Sequence, residues 1–178
     1  MPSKPRVLVS LVAAVAAVAS IAFVNAVPAY AKSTIICNSD RSGDGPKENR
    51  NTFRIPSGDF TTVTIDLCVS REDKNSQRGA IARQIDWGGP YPTGRRFNYF
   101  KLTVRLERAD KVIKTKTCDL TAAINHYRYP LHVYRCGPLW YSHAHKYKWT
   151  ADATVHYDIY GDGKGDMVWA LRGSPEVY

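Results

Sequence analysis

KYKWTADATVHYDIYGDGKGDMVWAL, residues 146–171, alternates apolar and polar side chains on both sides of an Asp/Gly-rich tip. Tyr147, Trp149, Ala151, Ala153, Val155, Tyr157 and Ile159 fall on one face, and Lys148, Thr150, Asp152, Thr154, His156 and Asp158 on the other. Successive side chains of an extended strand point to opposite faces. Alternation sustained over this length therefore predicts a strand with one buried and one wet side. Met167, Trp169 and Leu171 repeat the pattern beyond the tip, so the two runs together predict a β-hairpin.

The same period recurs upstream. Val63, Ile65, Leu67 and Val69 alternate with Thr62, Thr64, Asp66 and Cys68 in a strand expected over Phe60–Val69. Phe100, Leu102, Val104 and Leu106 alternate with Lys101, Thr103, Arg105 and Glu107. Ile81, Ile85 and Trp87 mark a shorter strand that Gly88-Gly89-Pro90 ends, because proline lacks a ladder donor. After a turn at Ala109-Asp110 the chain returns over Val112–Cys118, where Lys111, Lys114 and Lys116 suit an edge protected against further pairing. Asp119–Asn125 reads as one helical turn capped by Asp119. Leu131–Cys136 reads as a strand stopped by Gly137-Pro138, with a loop on to His145 that contains Trp140 and Tyr141, and Asn38–Asn51 reads as a loop. Short strands separated by turn signals predict an all-β fold, an antiparallel β-sandwich of immunoglobulin-like or related type. A small closed β-barrel is the alternative, since strand number does not separate the two.

Lys4 and Arg6 precede an apolar run from Val7 to Val24, and Ala29-Tyr30-Ala31 offers small residues where a signal peptidase reads. Residues 1–31 are thus expected to be a cleaved secretory signal peptide, leaving 32–178 as a single secreted β domain. The formal net charge is +9, and removal of Lys4 and Arg6 leaves the remainder strongly basic. A basic exported protein favours anionic partners such as wall polymers, acidic glycans, lipid headgroups or nucleic acid. The four cysteines, an even count in an exported chain, predict two disulfides. Cys37 with Cys68 and Cys118 with Cys136 each flank one compact segment, and each bond is expected to stabilise by about 3 kcal/mol.

Asp158, Asp162 and Asp166 recur four apart around Gly163 at the hairpin tip. DIYGDGKGD resembles the calcium loops of FG-GAP-type and dockerin-type repeats over these nine residues. The resemblance places Asp158, Asp162 and Asp166 at loop positions one, five and nine, Gly163 at position six, and the Lys164 carbonyl at position seven. It implies one bound Ca²⁺, although Tyr160 stands at position three, where a short oxygen ligand belongs. The alternative is a plain polar turn, in which Asp and Gly tolerate the backbone geometry. A second candidate is compositional: Tyr127, Arg128, Tyr129, Trp140, Tyr141, His143 and His145 mix aromatic planes with cations in a segment free of acids. Such mixtures suit glycans, stacked bases or anionic polymers.

These features predict a non-enzymatic binding or interaction module for an anionic or glycan surface, or for another extracellular protein. One alternative is a small secreted, ribonuclease-like hydrolase using two histidines, or a histidine with Glu107, for proton transfer. Another is a protein inhibitor or toxin, with Gly88–Arg96 as its protruding loop. No G-x-S-x-G, H-E-x-x-H or phosphate-loop pattern is present, so no motif points to catalysis.

Overall fold

Period-two patterning builds two antiparallel sheets. The computed structural model describes residues 33–40, 49–72, 76–89, 94–127, 129–130, 133–142 and 147–178, all within the unit Ala31–Tyr178. The expected signal peptide, and with it Arg128, His132, His143 and His145, lies outside the described residues. Among those described, the strands are β1 (Ser33–Cys37), β2 (Asn49–Arg54), β3 (Phe60–Glu72), β4 (Gln77–Gly88), β5 (Phe97–Arg108), β6 (Lys111–Asp119), β7 (Tyr134–Tyr141), β8 (Trp149–Ile159) and β9 (Met167–Ala170), with one short helix, α1 (Thr121–His126). One sheet runs β1-β3-β4-β7 with β2 also on β3, and the other runs β6-β5-β8-β9. Both sheets are open, which removes the closed barrel.

Strand pairing follows the faces that the sequence dictates. In the second sheet Leu102, Val104 and Leu106 of β5 stand opposite Val155, Ala153 and Ala151 of β8, all fully buried. They face Val63, Ile65, Leu67 and Val69 of β3 and Ala80, Ala82 and Ile85 of β4, which complete one shared core. Trp149, Val155 and Ile159 point inward as the alternation requires. Tyr147 does not: it lies before the first residue of β8 and is 52% exposed, with the Arg108 guanidinium 5.1 Å above its ring. Ala109 and Asp110 adopt positive φ in the two-residue turn between β5 and β6, the geometry that matches the twist of the flanking strands. β6 keeps its lysines exposed along an edge.

Several local expectations are corrected. The loop expected over Asn38–Asn51 instead gives way to β2 at Asn49, and β1 precedes it. β1 pairs with Cys68–Glu72 and β2 with Phe60–Ile65, so the two lie end to end along one edge of β3. In the gap between them Asn38 Oδ1 accepts from the Leu67 amide at 2.9 Å, and Ser39 donates its amide and hydroxyl to Asp66. Side chains thus supply the ladder bonds that the interrupted strand leaves open. Phe53 secures β2: its ring meets Phe97, Phe100, Tyr157 and Trp169 edge-on at 4.8–5.9 Å.

β7 starts at Tyr134 and passes through Gly137-Pro138 rather than stopping there. β4 is its one sheet neighbour, so a missing proline donor costs nothing on the open side. Trp140 and Tyr141 are therefore strand residues, not loop residues. Helix α1 has Leu120, not Asp119, at its N-cap, yet Asp119 Oδ1 still accepts from the Thr121 amide at 2.9 Å. Both expected disulfides are formed: Cys37–Cys68 joins paired residues of β1 and β3, and Cys118–Cys136 joins β6 to β7 across the two sheets. Lys114 Nζ donates to the Trp140 carbonyl at 2.6 Å along that second seam. Two disulfides are compatible with an extracellular protein.

Candidate functional site

Three chain segments far apart in sequence meet in a cleft of about 290 Å³. The turn between β2 and β3 brings Ile55, Pro56, Asp59 and Phe60; the residues before β5 bring Arg95 and Arg96; the tip after β8 brings Tyr160 and Gly161. Each segment is fixed by its own backbone. The Ile55 amide donates to the Asp59 carbonyl at 2.8 Å, and Gly58 adopts a φ of 94° that a side chain would strain. The Tyr160 amide donates to the Arg96 carbonyl at 2.9 Å, which ties the hairpin tip to the start of β5.

Phe60 and Tyr160 are 45% and 47% exposed, whereas the other described phenylalanines, Phe53, Phe97 and Phe100, are buried. The Arg95 guanidinium lies 4.8 Å from the Tyr160 ring centroid, which holds a cation at the cleft mouth. Arg96 is buried instead. Its Nη1 donates to the Ile124 and Tyr127 carbonyls at 2.8 and 3.2 Å, and its amide to Asn125 Oδ1 at 2.8 Å. Burial pushes its pKa down, and the charge of Asp59 pulls it partly back. Arg96 therefore docks α1 behind the cleft, while Arg95 is exposed at its mouth.

Two further hollows adjoin and share Phe60 as a wall. One, about 420 Å³, is bordered by Thr52, Arg54 and Asp59; the other, about 330 Å³, by Arg50, Thr62, Thr64 and Asp86. Arginines, carboxylates and hydroxyls around an exposed ring can grip a polar ligand from several sides. The alternation holds a signal for this ring. Phe60 shares its parity with Thr62 and Thr64, so the pattern itself puts an aromatic on the wet face of β3.

The surface expected from Tyr127 to His145 does not converge among the described residues. Tyr127 packs on the core, and its carbonyl accepts from Trp87 Nε1 at 3.0 Å. Trp140 pairs with Gly79 at the other end of β4, eight residues or roughly 26 Å from Trp87. Tyr141 packs its ring on Trp149, while Tyr129 is exposed. His156 and Glu107 are also apart: their cross-strand partners on β5 and β8 place them six residues from each other, roughly 20 Å.

The hairpin tip does not fit the calcium cage that the resemblance implies. Ligand atoms of Asp158, Asp162 and Asp166 do not all come within 4.8 Å of one another. Asp158 accepts from Asn98 Nδ2 at 2.7 Å, and Asp162 Oδ1 from the Lys164 amide at 2.9 Å. Asp166 accepts from the Tyr99 hydroxyl at 2.5 Å and lies 3.5 Å from His156 Nδ1. Tyr160, at loop position three where a short oxygen ligand belongs, turns instead to Arg95. Asp158 and Asp166 thus brace the hairpin against β5, while Asp162 closes the tip on itself. Hydrogen bonding to Asp166 pushes the Tyr99 hydroxyl up to about 12, and the same bond holds the Asp166 carboxyl below its ordinary range. Comparison with known protein families, with curated proteins and with solved structures returned no match.

Proposed function

We propose that the chain is exported by its N-terminal segment and acts as a non-enzymatic binding module for an anionic or glycan ligand, held in the cleft beneath Phe60. The observation that carries this is the placement of two exposed aromatic rings, Phe60 and Tyr160, beside Arg95 in a walled hollow. An exposed ring with a cation at its flank is suited to sugar faces and to negative groups at once.

The strand order supports the finer fold assignment on which this rests. With β3, β4 and β7 in one sheet and β6, β5, β8 and β9 in the other, the chain crosses between sheets at β4–β5, β6–β7 and β7–β8, as connections in immunoglobulin-like sandwiches do. By that analogy the segments before β5 and after β8 correspond to the B–C and F–G loops, which carry recognition in many sandwiches of this type. Both line the cleft.

The test is an array of acidic and neutral polysaccharides probed with the purified protein, repeated with Phe60→Ala and Tyr160→Ala. Retention of wild-type protein on acidic members and its loss in both variants, at unchanged unfolding midpoints, is the expected outcome. Binding that survives both substitutions removes the cleft from consideration.

A further inference from the structure

We infer that the occupant of this site is an extended acidic polysaccharide chain, taken up as successive units in the three hollows around Phe60; this rests on the binding function proposed above. Each hollow carries its own exposed guanidinium: Arg95 in the first, Arg54 in the second and Arg50 in the third. Arg50 and Arg54 share one face of β2 and are four residues apart, roughly 13 Å along the strand. A single small anion cannot reach both. A chain with repeating negative groups can, and Phe60 touches all three of its units.

The carboxylates choose between polymer classes. Asp59 borders two hollows and Asp86 the third. Beside a nucleic-acid backbone, which has phosphates and few donors, these acids are repulsive. Beside a sugar they accept from ring hydroxyls while the arginines take the acidic groups. Threonine hydroxyls of Thr52, Thr62 and Thr64 extend the same polar lining. Single-stranded nucleic acid also calls for successive open stacking faces, and here one face of Tyr160 is taken by Arg95.

The experiment is calorimetric titration of the purified protein with galacturonic acid, its linear hexamer, neutral maltohexaose and a single-stranded oligothymidylate. The hexamer is expected to bind at least tenfold tighter than either the monomer or maltohexaose, and to weaken as sodium chloride is raised. Arg50→Ala and Arg54→Ala each weaken the hexamer about two- to fivefold, as loss of one exposed charge contact does. A monomer as tight as the hexamer, a neutral chain as tight as the acidic one, or tighter oligothymidylate binding overturns the extended acidic chain while sparing a binding role. Failure of all four probes to bind overturns both proposals.

Discussion

Gly88 and Gly89 stand side by side at the end of β4, and a methyl group added to each meets opposite surroundings. At Gly88 nothing lies within 4 Å of the new Cβ. At Gly89 it falls 2.2 Å from the Phe60 carbonyl oxygen, with the carbonyl carbon at 3.3 Å and Thr61 Cα at 3.4 Å. Ordinary contacts lie at roughly 3.5 Å, so about 1 Å must be found, and the blocking atoms belong to backbone that cannot rotate away. Overpacking of this kind costs about 1–3 kcal/mol. For a chain of this size that lowers the melting midpoint by about 3–10 °C. Gly88→Ala works the other way: it restricts the unfolded chain without a clash, and is expected to stabilise by about 0.4–1 kcal/mol. Differential scanning calorimetry of the two variants beside the wild type gives the comparison. Because the displaced backbone carries Phe60, Gly89→Ala also weakens acidic-hexamer binding. Equal midpoints for the two variants, or a Gly89→Ala protein more stable than Gly88→Ala, would refute the packing drawn around Phe60.

Phe53→Ala removes the ring that four aromatics meet and should cost about 3–5 kcal/mol; urea unfolding that loses under 1 kcal/mol contradicts its place as the plug of β2. Replacing Cys118 and Cys136 together by serine should cost about 3 kcal/mol, and an unshifted urea midpoint argues against the tie between the sheets. The brace between Tyr99 and Asp166 has two pH limits. Asp166 titrates below its ordinary 3.8, so its contribution to stability is present above that value and lost as pH falls through the lowered pKa. Tyr99 is raised from 10.0 to about 12, so its contribution is present below pH 10 and lost as pH rises through about 12. Tyr99→Phe should move the Asp166 carboxyl upward in an NMR titration; no movement dismisses the bond. Calcium at millimolar concentration should leave the unfolding midpoint where chelator leaves it, and a rise would mean that the hairpin acids reorganise around the ion.

What could be read from the sequence was what period-two burial writes into it. β3, β5 and β8 are covered on one face by the opposite sheet and paired on both sides, so every second position had to be apolar. The cysteine pairing was legible for a related reason, since each pair closes a compact segment. β1 and β2 left no such record. They are edge strands with a single neighbour, and in Asn49–Arg54 the one deeply buried hydrophobe is Phe53, too little for a pattern. Tyr147 reads as inward because alternation shows which face a side chain takes but not where the covering layer ends. Gly137-Pro138 reads as a stop because a sequence does not say which side of a strand lacks a partner. The calcium resemblance covers oxygen donors alone, whereas Asn98, Tyr99 and His156, which contact two of those acids, lie outside its nine residues.

β2, which leaves no pattern in the sequence, also shapes the cleft. Pairing of Asn49–Arg54 with Phe60–Ile65 leaves only Ile55–Asp59 to reverse the chain, which forces Phe60 to the sheet end beside the hairpin tip. The same pairing turns Phe53 into the core and, by strand parity, sends Arg50, Thr52 and Arg54 outward along one line. Burying one aromatic therefore positions the cations that flank another. It follows that Phe53→Leu, which keeps an apolar plug but changes its shape, should alter hexamer affinity beyond its effect on stability. Arg50→Ala should leave stability within about 0.5 kcal/mol of wild type, because its side chain points away from the core that holds the strand. If Phe53→Leu costs stability while binding stays intact, the core and the cleft are independent, and β2 does not position the cations.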